Sequence, residues 1–180
     1  MAYIQIMVEL VVPMLRLHSS WLNAHAEWGP GLHEDGFGLS PSDDVVSPAG
    51  FSAWVSRLIS APDPRTADDP TAPGCIYRWI VEGDEVLGGI ALRYGDSDFI
   101  RWAGHVGYGI RPSARRRGLA TWALGNILND ARLLGMNRVL LVCDADNTAS
   151  ATTIERNGGL LESIQETEHG PARRYWIPTP

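Results

Sequence analysis

The chain has 180 residues, of which 44% are apolar and 20% charged, and this composition is typical of one globular domain with a sizeable core. A formal net charge of −6 argues against a nucleic-acid partner, and no apolar stretch is long enough to cross a bilayer. Two cysteines do not make a disulfide framework, and the apolar N-terminus lacks the basic region and cleavage site of a signal peptide, so we expect a cytoplasmic protein.

The N-terminal half of the sequence predicts helices and strands separated by long loops. Phe51, Trp54 and Leu58 recur at helical spacing, and the segment after them contains four prolines, which exclude a helix or a central strand there. Two apolar runs on either side of 82–85 predict a β-hairpin. In chain order we expect a strand over 9–13, a helix over about 14–28, a loop over 29–50, a helix over 51–60, a loop over 61–74, and hairpin strands over 76–81 and 86–94.

The C-terminal half predicts alternating strands and helices. The continuous apolar run over 138–143 is typical of a strand buried by parallel pairing. Gly158 permits a left-handed cap at the end of a short helix. In chain order we expect a turn over 94–98, a strand that ends at 110, a helix over about 118–135, a strand over 138–143, a short helix over about 149–157, and one or two final strands that carry 175–177.

Residues 105–120 predict a strand that runs into a turn with three consecutive arginines and then into a helix. The apolar positions after Gly118 repeat at helical spacing, so a helix begins near this glycine. Helix N-termini carry N–H groups without an intrahelical partner and the positive end of the helix dipole, and they therefore bind anions. Gly118 has no Cβ and Ala120 is small, so phosphates can approach the backbone closely. The pattern predicts a pyrophosphate site, and a solvated charged turn is the alternative.

The same residues carry a family resemblance. The pattern Arg115-x-x-Gly118-x-Ala120 resembles the Arg/Gln-x-x-Gly-x-Gly/Ala signature of the GNAT superfamily of acyl-CoA N-acyltransferases. The run over 105–159 resembles a subgroup of uncharacterised predicted acetyltransferases. Also similar to the family are the lead-in Tyr108-x-Ile110-x-Pro112, the second cofactor segment Asn147-x-x-Ser150 with 155–159, and the closing segment 174–177.

The resemblance implies an α+β fold with a mixed, mostly antiparallel sheet whose central parallel strands splay apart, flanked by helices on both faces. It implies one domain over 1–180, with an acceptor side over about 1–94 and an acetyl-CoA-binding core over about 95–160. Proteins of this superfamily are often dimers, and the apolar strand with Trp176 and Ile177 could supply the interface of a homodimer. Packing in the core explains the same two residues equally well.

The resemblance also implies direct acetyl transfer from acetyl-CoA to an amine in a ternary complex, with no metal. Backbone amides of Tyr108 and Ile110 would pair with the pantetheine arm, and an amide there would stabilise the developing oxyanion. Asn147 and Ser150 would bind the pantetheine or the adenosine side, although Asn147 also suits a helix N-cap. The residues expected to hold the pyrophosphate are Arg115, Arg116, Arg117, Gly118, Leu119, Ala120 and Thr121.

The sequence departs from the family pattern at the usual catalytic acid. Many members place a tyrosine seven residues after the motif asparagine, where it protonates the leaving thiolate, but Ile154 stands at that position in this chain. Solvent, Ser150 or a tyrosine from elsewhere would then supply the proton. Tyr108 is the nearest tyrosine in sequence, and we include it among the catalytic candidates.

The general base also has more than one candidate. The fourth strand lacks the carboxylate that some members use, and His105 next to that position has an imidazole suited to accept a proton from an ammonium group. A strand-end histidine with a structural hydrogen bond is the alternative. Asp144 and Asp146 follow the fifth strand and suit a base, an amine anchor or a loop cap. A base reached through water is equally consistent with the sequence.

The distribution of charge suggests the acceptor. Residues 1–90 contain 12 acidic and 4 basic side chains, whereas residues 91–180 contain 9 acidic and 11 basic ones. This asymmetry favours a small-molecule amine as acceptor, although the acidic residues could simply solvate loops. An N-terminal protein acetyltransferase and a CoA-binding sensor without turnover are the alternative functions. The candidate acceptor-loop residues are Glu34, Asp35, Asp43, Asp44, Asp63, Asp68 and Asp69, with Trp28 and Phe37.

Overall fold

The structure is a computed structural model that describes residues 7–29, 35–60 and 72–180. None of its helices within those residues has both the length and the apolarity to span a membrane. In chain order the elements are β1 (Val8–Val11), α1 (His18–Trp28) after a short 3₁₀ helix (Leu15–Leu17), α2 (Pro48–Ile59), β2 (Gly74–Glu82), β3 (Glu85–Tyr94), α3 (Asp98–Ala103), β4 (Val106–Ile110), a second 3₁₀ helix (Pro112–Ala114), α4 (Leu119–Leu133), β5 (Arg138–Asp144), α5 (Thr148–Arg156), β6 (Leu160–Thr167) and β7 (Gly170–Pro178).

The strands form two sheets, one with the order β1-β2-β3-β4 and the other with the order β5-β7-β6. β1 is antiparallel to β2, and both β5 and β6 are antiparallel to β7. The predicted α+β fold class with mostly antiparallel sheets is therefore confirmed. β4 and β5 each end the order of their own sheet, and an isolated bridge between Gly104 and Leu141 joins the segment before β4 to β5.

The direction of β5 differs from the expectation of parallel pairing. Its partner β7 runs antiparallel, with Leu141 opposite Tyr175. Val139, Leu140 and Leu141 are all buried, so both faces of this strand are covered. A strand covered on both faces is apolar at every position whichever way its neighbour runs, so the sequence run indicated the burial and not the direction.

The chain divides into two compact units. The first has an aromatic core, in which Trp21 of α1 and Trp54 of α2 have ring centroids 4.7 Å apart, and Trp54 stacks with Trp79 of β2 at 5.8 Å. Buried ring pairs of this kind hold α1 and α2 against the strands. The first unit contains the described parts of Met1–Ala61, Ile76–Ala91 and Tyr108–Leu119, and the second those of Pro62–Cys75, Leu92–Gly107 and Ala120–Pro180.

The second unit buries the apolar face that was predicted for α4. Ala123, Leu124 and Ile127 have no exposed surface, and Ile154 of α5 is 1% exposed. Asn157, just after α5, donates through Nδ2 to the carbonyl oxygens of Thr121 at 3.1 Å and of Thr153 at 2.9 Å. The end of α5 is thereby tied to the first turn of α4. The predicted single domain over 1–180 and its two functional parts stay predictions.

Helix α3 was not predicted, because the sequence was interpreted as a turn that leads directly into β4. Ser97 caps this helix by accepting a hydrogen bond from the Ile100 amide at 3.2 Å, and Arg101 pairs with Asp98 within it. The helix has six residues, too few for an apolar periodicity to be recognised in the sequence. It ends at Gly104, which has a left-handed φ of 84°.

Helix α2 begins three residues earlier than predicted, inside the expected loop over 29–50. The Ser47 hydroxyl accepts from the Gly50 amide at 3.0 Å, and Pro48 occupies the first helical position, where its missing N–H costs nothing. Both are sequence signals of a helix start. Of the second predicted loop, residues 61–71 lie outside the described chain, and β2 starts at Gly74. The hairpin strands β2 and β3 lie as predicted.

Candidate functional site

The turn between β4 and α4, residues 111–118, has an unusual backbone. Gly118 has a φ of 77° and Arg116 a φ of 64°, the one left-handed value at a non-glycine residue in the described chain. Turn conformations that include left-handed residues are among those that point successive N–H groups toward one side and form concave anion sites. A Cβ on Gly118 would meet no heavy atom within 4 Å, so the space beside it is open. We call residues 111–118 the phosphate turn.

The three predicted arginines of the phosphate turn have different environments. Arg115 donates through Nε to the Ile110 carbonyl at 3.1 Å, and Arg117 forms an ion pair with Glu82 at 2.8 Å. Arg116 is exposed and has no hydrogen bond or ion pair with any residue that the structure describes. The middle guanidinium is therefore the one available to an anion without breaking a contact.

A carboxylate on α1 holds the base of the phosphate turn. Glu27 accepts hydrogen bonds from Arg111 through Nε at 2.9 Å and through Nη2, and from the amide and the hydroxyl of Ser113, each at 2.9 Å. Arg111 is 8% exposed, and its guanidinium also donates to Glu85 at 2.8 Å and to the Val86 carbonyl at 3.2 Å. The hydrogen bonds from Arg111, and further ones from Ser113, lower the pKa of Glu27 to about 2.

Sequence reasoning missed this network. Arg111 lies in the recognised segment at the end of β4, and a buried arginine requires a carboxylate partner. Glu27 lies 84 residues away, however, and nothing in the sequence distinguishes it from the other acidic residues. Only the tertiary structure identifies the partner.

The strand residues expected to bind pantetheine lie at the end of their sheet. Tyr108 and Ile110 are half-buried in β4, which has β3 as its single neighbour in the sheet order. The backbone of Asp35 lies close to this strand, because a Cβ on Gly109 would come 2.8 Å from the Asp35 carbonyl oxygen. One acidic residue of the predicted acceptor loops therefore lies beside the strand predicted to hold the acetyl donor.

His105 has a structural hydrogen bond. Its Nδ1 accepts from the Leu140 amide at 2.8 Å, and its own amide donates to the Leu140 carbonyl at 2.7 Å. Burial, with a contribution from the charge of Arg93, lowers the pKa of His105. In the neutral ring the proton then resides on Nε2, and the lone pair of Nδ1 is already used. This geometry supports the structural alternative over the role of general base.

The second cofactor segment forms a helix cap. Asn147 accepts through Oδ1 from the Ser150 amide at 3.0 Å, and its own amide donates to the Asp144 carbonyl at 3.0 Å. The hydroxyl of Ser150 bonds to the thiol of Cys143, whose pKa is raised by burial in spite of that bond. The side chain of Asp144 is exposed at the end of β5. These contacts bring the predicted residues 144, 147 and 150 together.

Ile154 cannot replace the tyrosine that the family places at this position. The side chain is 1% exposed, and a Cβ on Gly159 would lie 2.4 Å from its Cγ2. It belongs to the core of the second unit, where a leaving thiolate would find no proton donor on it.

Several candidate acceptor residues have structural roles. Asp43 forms an ion pair with Arg57, and Asp44 accepts from the Val46 and Ser47 amides, while its bonds with Ser47 lower the pKa of Asp44. Phe37 is fully buried in the aromatic core, and Trp28 packs against that core. Glu34, Asp63, Asp68 and Asp69 lie outside the described residues. In the part of the chain that is described, no cluster of His, Cys, Asp or Glu could hold a metal ion.

Known proteins resemble this chain in sequence pattern and in fold. The family model for the acetyltransferase (GNAT) domain matches residues 40–159. No curated protein matches the sequence.

Solved structures share the fold at low sequence identity, and such likeness concerns the fold alone. They include the microcin C7 self-immunity acetyltransferase MccE in complex with acetyl-CoA and AMP (15% identity, TM-score 0.65, 95% of this chain and 92% of that chain). Another is the Salmonella typhimurium acetyltransferase that modifies the N-terminal serine of ribosomal protein L7/L12 (17% identity, TM-score 0.66, 96% of this chain and 95% of that chain). A third is a GNAT acetyltransferase from Streptococcus pneumoniae (13% identity, TM-score 0.66, 97% of this chain and 100% of that chain).

Proposed function

Because the chain belongs to the GNAT family of acetyl-CoA-dependent acetyltransferases, we propose that it transfers the acetyl group of acetyl-CoA to the primary amine of a small molecule. The observation that carries the proposal is the phosphate turn. Its left-handed residues Arg116 and Gly118, its open space and its position directly before α4 fit a pyrophosphate.

Each predicted cofactor residue would have a separate task. The amides of the phosphate turn and of the first turn of α4, from Leu119 to Thr121, would hold the pyrophosphate, with the guanidinium of Arg116 beside them. The amides of Tyr108 and Ile110 would pair with the pantetheine arm. Asn147 and Ser150 would bind from the second segment while they continue to cap α5. The bound donor supplies an acetyl thioester for attack by an amine.

Three kinds of group would take part in catalysis: an amide that stabilises charge, a base that accepts the amine proton and an acid that protonates the thiolate. An amide of β4 would stabilise the negative charge that develops on the acetyl carbonyl oxygen, an effect commonly worth about 3 kcal/mol for each donor. Asp144, exposed after β5, would accept the amine proton directly or through water. The hydroxyl of Tyr108 or of Ser150 would supply the proton for the thiolate in place of the buried Ile154.

The charge distribution supports a cationic small amine as acceptor. The first 90 residues have a strong acidic excess, and Asp35 lies beside Gly109 of β4. Transfer to a protein N-terminus is the second candidate, favoured by the Asn147-x-x-Ser150 pattern and by the reaction named for the Salmonella relative. A CoA-binding sensor is supported only by Ile154.

A thermal-shift titration with acetyl-CoA, free CoA and ATP tests the donor. We expect stabilisation by both CoA species and not by ATP, because a ligand that binds only the native state raises its stability in proportion to the logarithm of its concentration. Thiol release is then measured with polyamines, aminoglycoside-like amines and peptides that have free N-termini. Release with peptides alone would replace the small-molecule acceptor by a protein, and no stabilisation by either CoA species would contradict the proposed function.

A further inference from the structure

The tie between α1 and the phosphate turn has a consequence for cofactor binding. We propose that Glu27 and Arg111 are positioning residues that hold the phosphate turn in the conformation that binds the pyrophosphate of acetyl-CoA. The inference rests on the proposed function, because it concerns how this chain holds the same donor.

The burial of Arg111 makes the partners of its charge essential. The residue is 8% exposed, and a buried charge is tolerated only when carboxylates and carbonyls satisfy it. Glu27 accepts from two of its nitrogens, whereas Glu85 accepts from one and is 57% exposed. Glu27 is therefore the main partner of this charge, and Arg111 in turn starts the phosphate turn.

Ser113 is the second residue of the phosphate turn that Glu27 contacts. Glu27 accepts from both the amide and the hydroxyl of this residue, which lies in the 3₁₀ helix Pro112–Ala114. One carboxylate thus fixes two positions of the turn, three and five residues before Arg116. The ion pairs of the turn with the strands, Arg117 with Glu82 and Arg111 with Glu85, each include a more exposed side chain, and exposed ion pairs contribute little.

The backbone of the phosphate turn is strained at Arg116. Arg116 and Gly118 are both left-handed, and a left-handed arginine persists only where the surrounding structure fixes the backbone. Glu27 provides that constraint from α1, which the aromatic core holds in place through Trp21. The contacts of Glu27 with the turn thus support the one segment whose backbone would hold the phosphates.

A comparison of two acetyl donors tests the inference. Acetyl-CoA carries the pyrophosphate, and S-acetylpantetheine presents the same thioester without it. We expect Glu27→Gln to lower kcat/KM for acetyl-CoA at least about tenfold, through KM, because it loses a charged partner of two positions in the turn. The same variant should change kcat/KM for S-acetylpantetheine less than about twofold.

Glu85→Gln is the matched control, because Glu85 also pairs with Arg111 but has no hydrogen bond to Ser113. This variant should retain both donor activities within about twofold. Ser113→Ala removes one hydrogen bond to Glu27 without leaving a charge unpaired, so it is informative even if Glu27→Gln does not fold. It should show a smaller loss that is again confined to acetyl-CoA.

Three outcomes would overturn the inference: an equal loss for both donors, an unchanged KM for acetyl-CoA in Glu27→Gln, or a loss in Glu85→Gln as large as in Glu27→Gln. Failure of the proposed function itself is distinguishable, since the unsubstituted protein would then release no thiol from either donor.

Discussion

The three arginines of the phosphate turn differ in their contacts and in their backbone conformation. Arg115 and Arg117 have contacts with Ile110 and Glu82, while the exposed Arg116 has none in the described chain and adopts a left-handed φ of 64°. Strained backbone that is kept in an exposed turn is typical of binding segments. The sequence pattern predicts the same role for the three arginines, whereas their contacts and backbone conformations in the structure differ.

Replacement of Arg116 by glycine should separate binding from stability. Arg116→Gly relieves the left-handed strain, which outweighs the added freedom of the unfolded chain, so we expect a net gain of about 0.5 kcal/mol in the free energy of unfolding. Loss of the guanidinium should weaken acetyl-CoA binding roughly 3- to 10-fold. Denaturant unfolding and calorimetric titration measure the two effects.

Arg117→Ala serves as the control for Arg116→Gly, because it removes a neighbouring charge that is already paired with Glu82. Its effect on affinity should be the smaller of the two. If Arg116→Gly bound acetyl-CoA as tightly as the unsubstituted protein, the assignment of Arg116 to the phosphates would be wrong.

The lowered pKa of Glu27 predicts a loss of stability in acid. A carboxyl group whose pKa falls from 4.5 to about 2 on folding stabilises the native state above pH 4.5, and this contribution disappears as the pH falls toward 2. We expect the free energy of unfolding of the unsubstituted protein to exceed that of Glu27→Gln by on the order of 2 kcal/mol at pH 7. Urea unfolding across this range should show the difference shrinking toward pH 2, and a difference independent of pH would contradict the prediction.

At the scale of elements, α3 depends on the glycine that ends it. Gly104 has a φ of 84° and forms the bridge to Leu141, and a Cβ on it would lie 2.8 Å from the Leu140 carbonyl oxygen and 3.1 Å from the Val142 amide nitrogen. Backbone atoms of β5 surround this position, so they cannot move away as a flexible side chain would. The junction between α3, β4 and β5 therefore requires glycine at position 104 for two reasons, the left-handed φ and the lack of space for a Cβ.

Two glycine substitutions should show the separate costs. Gly135, after α4, has a similar φ of 76° but nothing within 4 Å of its Cβ position, so Gly135→Ala should cost about 1 kcal/mol of stability. Gly104→Ala adds the backbone clash, and we expect a loss of roughly 3 kcal/mol or more. Denaturant unfolding of both variants measures these costs, and equal losses would show that β5 yields to the added methyl group.

Charge is the property that belongs to the whole molecule. The net charge of −6 comes from the first 90 residues, while the recognised cofactor motifs lie in the half with a slight basic excess. A field of this kind attracts cationic small molecules and is screened by salt over a Debye length of roughly 10 Å at 0.1 M ionic strength. The predicted homodimer stays a prediction at this scale.

Ionic strength should therefore separate acceptors by charge. We expect kcat/KM for a dicationic amine to fall several-fold between about 0.02 and 0.3 M salt, and that for a neutral amine acceptor to change little, at saturating acetyl-CoA. Steady-state thiol release with the two acceptors measures this. An equal salt dependence for both acceptors would mean that the acidic residues only solvate loops and do not attract the amine.

The sequence alone predicted the family, the fold class, the apolar face of α4, and the order of strand, turn and helix around residues 111–118. These features depend on local spacing, because helical periodicity and a glycine before a helix are properties of neighbouring residues. It could not identify α3, whose six residues are too few for periodicity, or the direction of β5, whose buried run over 139–141 is apolar on both faces.

The folded chain, and not the sequence pattern, sets which polar groups meet. In the folded chain Glu27 meets Arg111 and Ser113 across 84 and 86 residues, and the Leu140 amide donates a hydrogen bond to Nδ1 of His105. The fold also separates Arg116 from the arginines on either side. Hydrogen bonds depend on distance and direction between atoms of remote segments, and a sequence contains that information only through the folded chain.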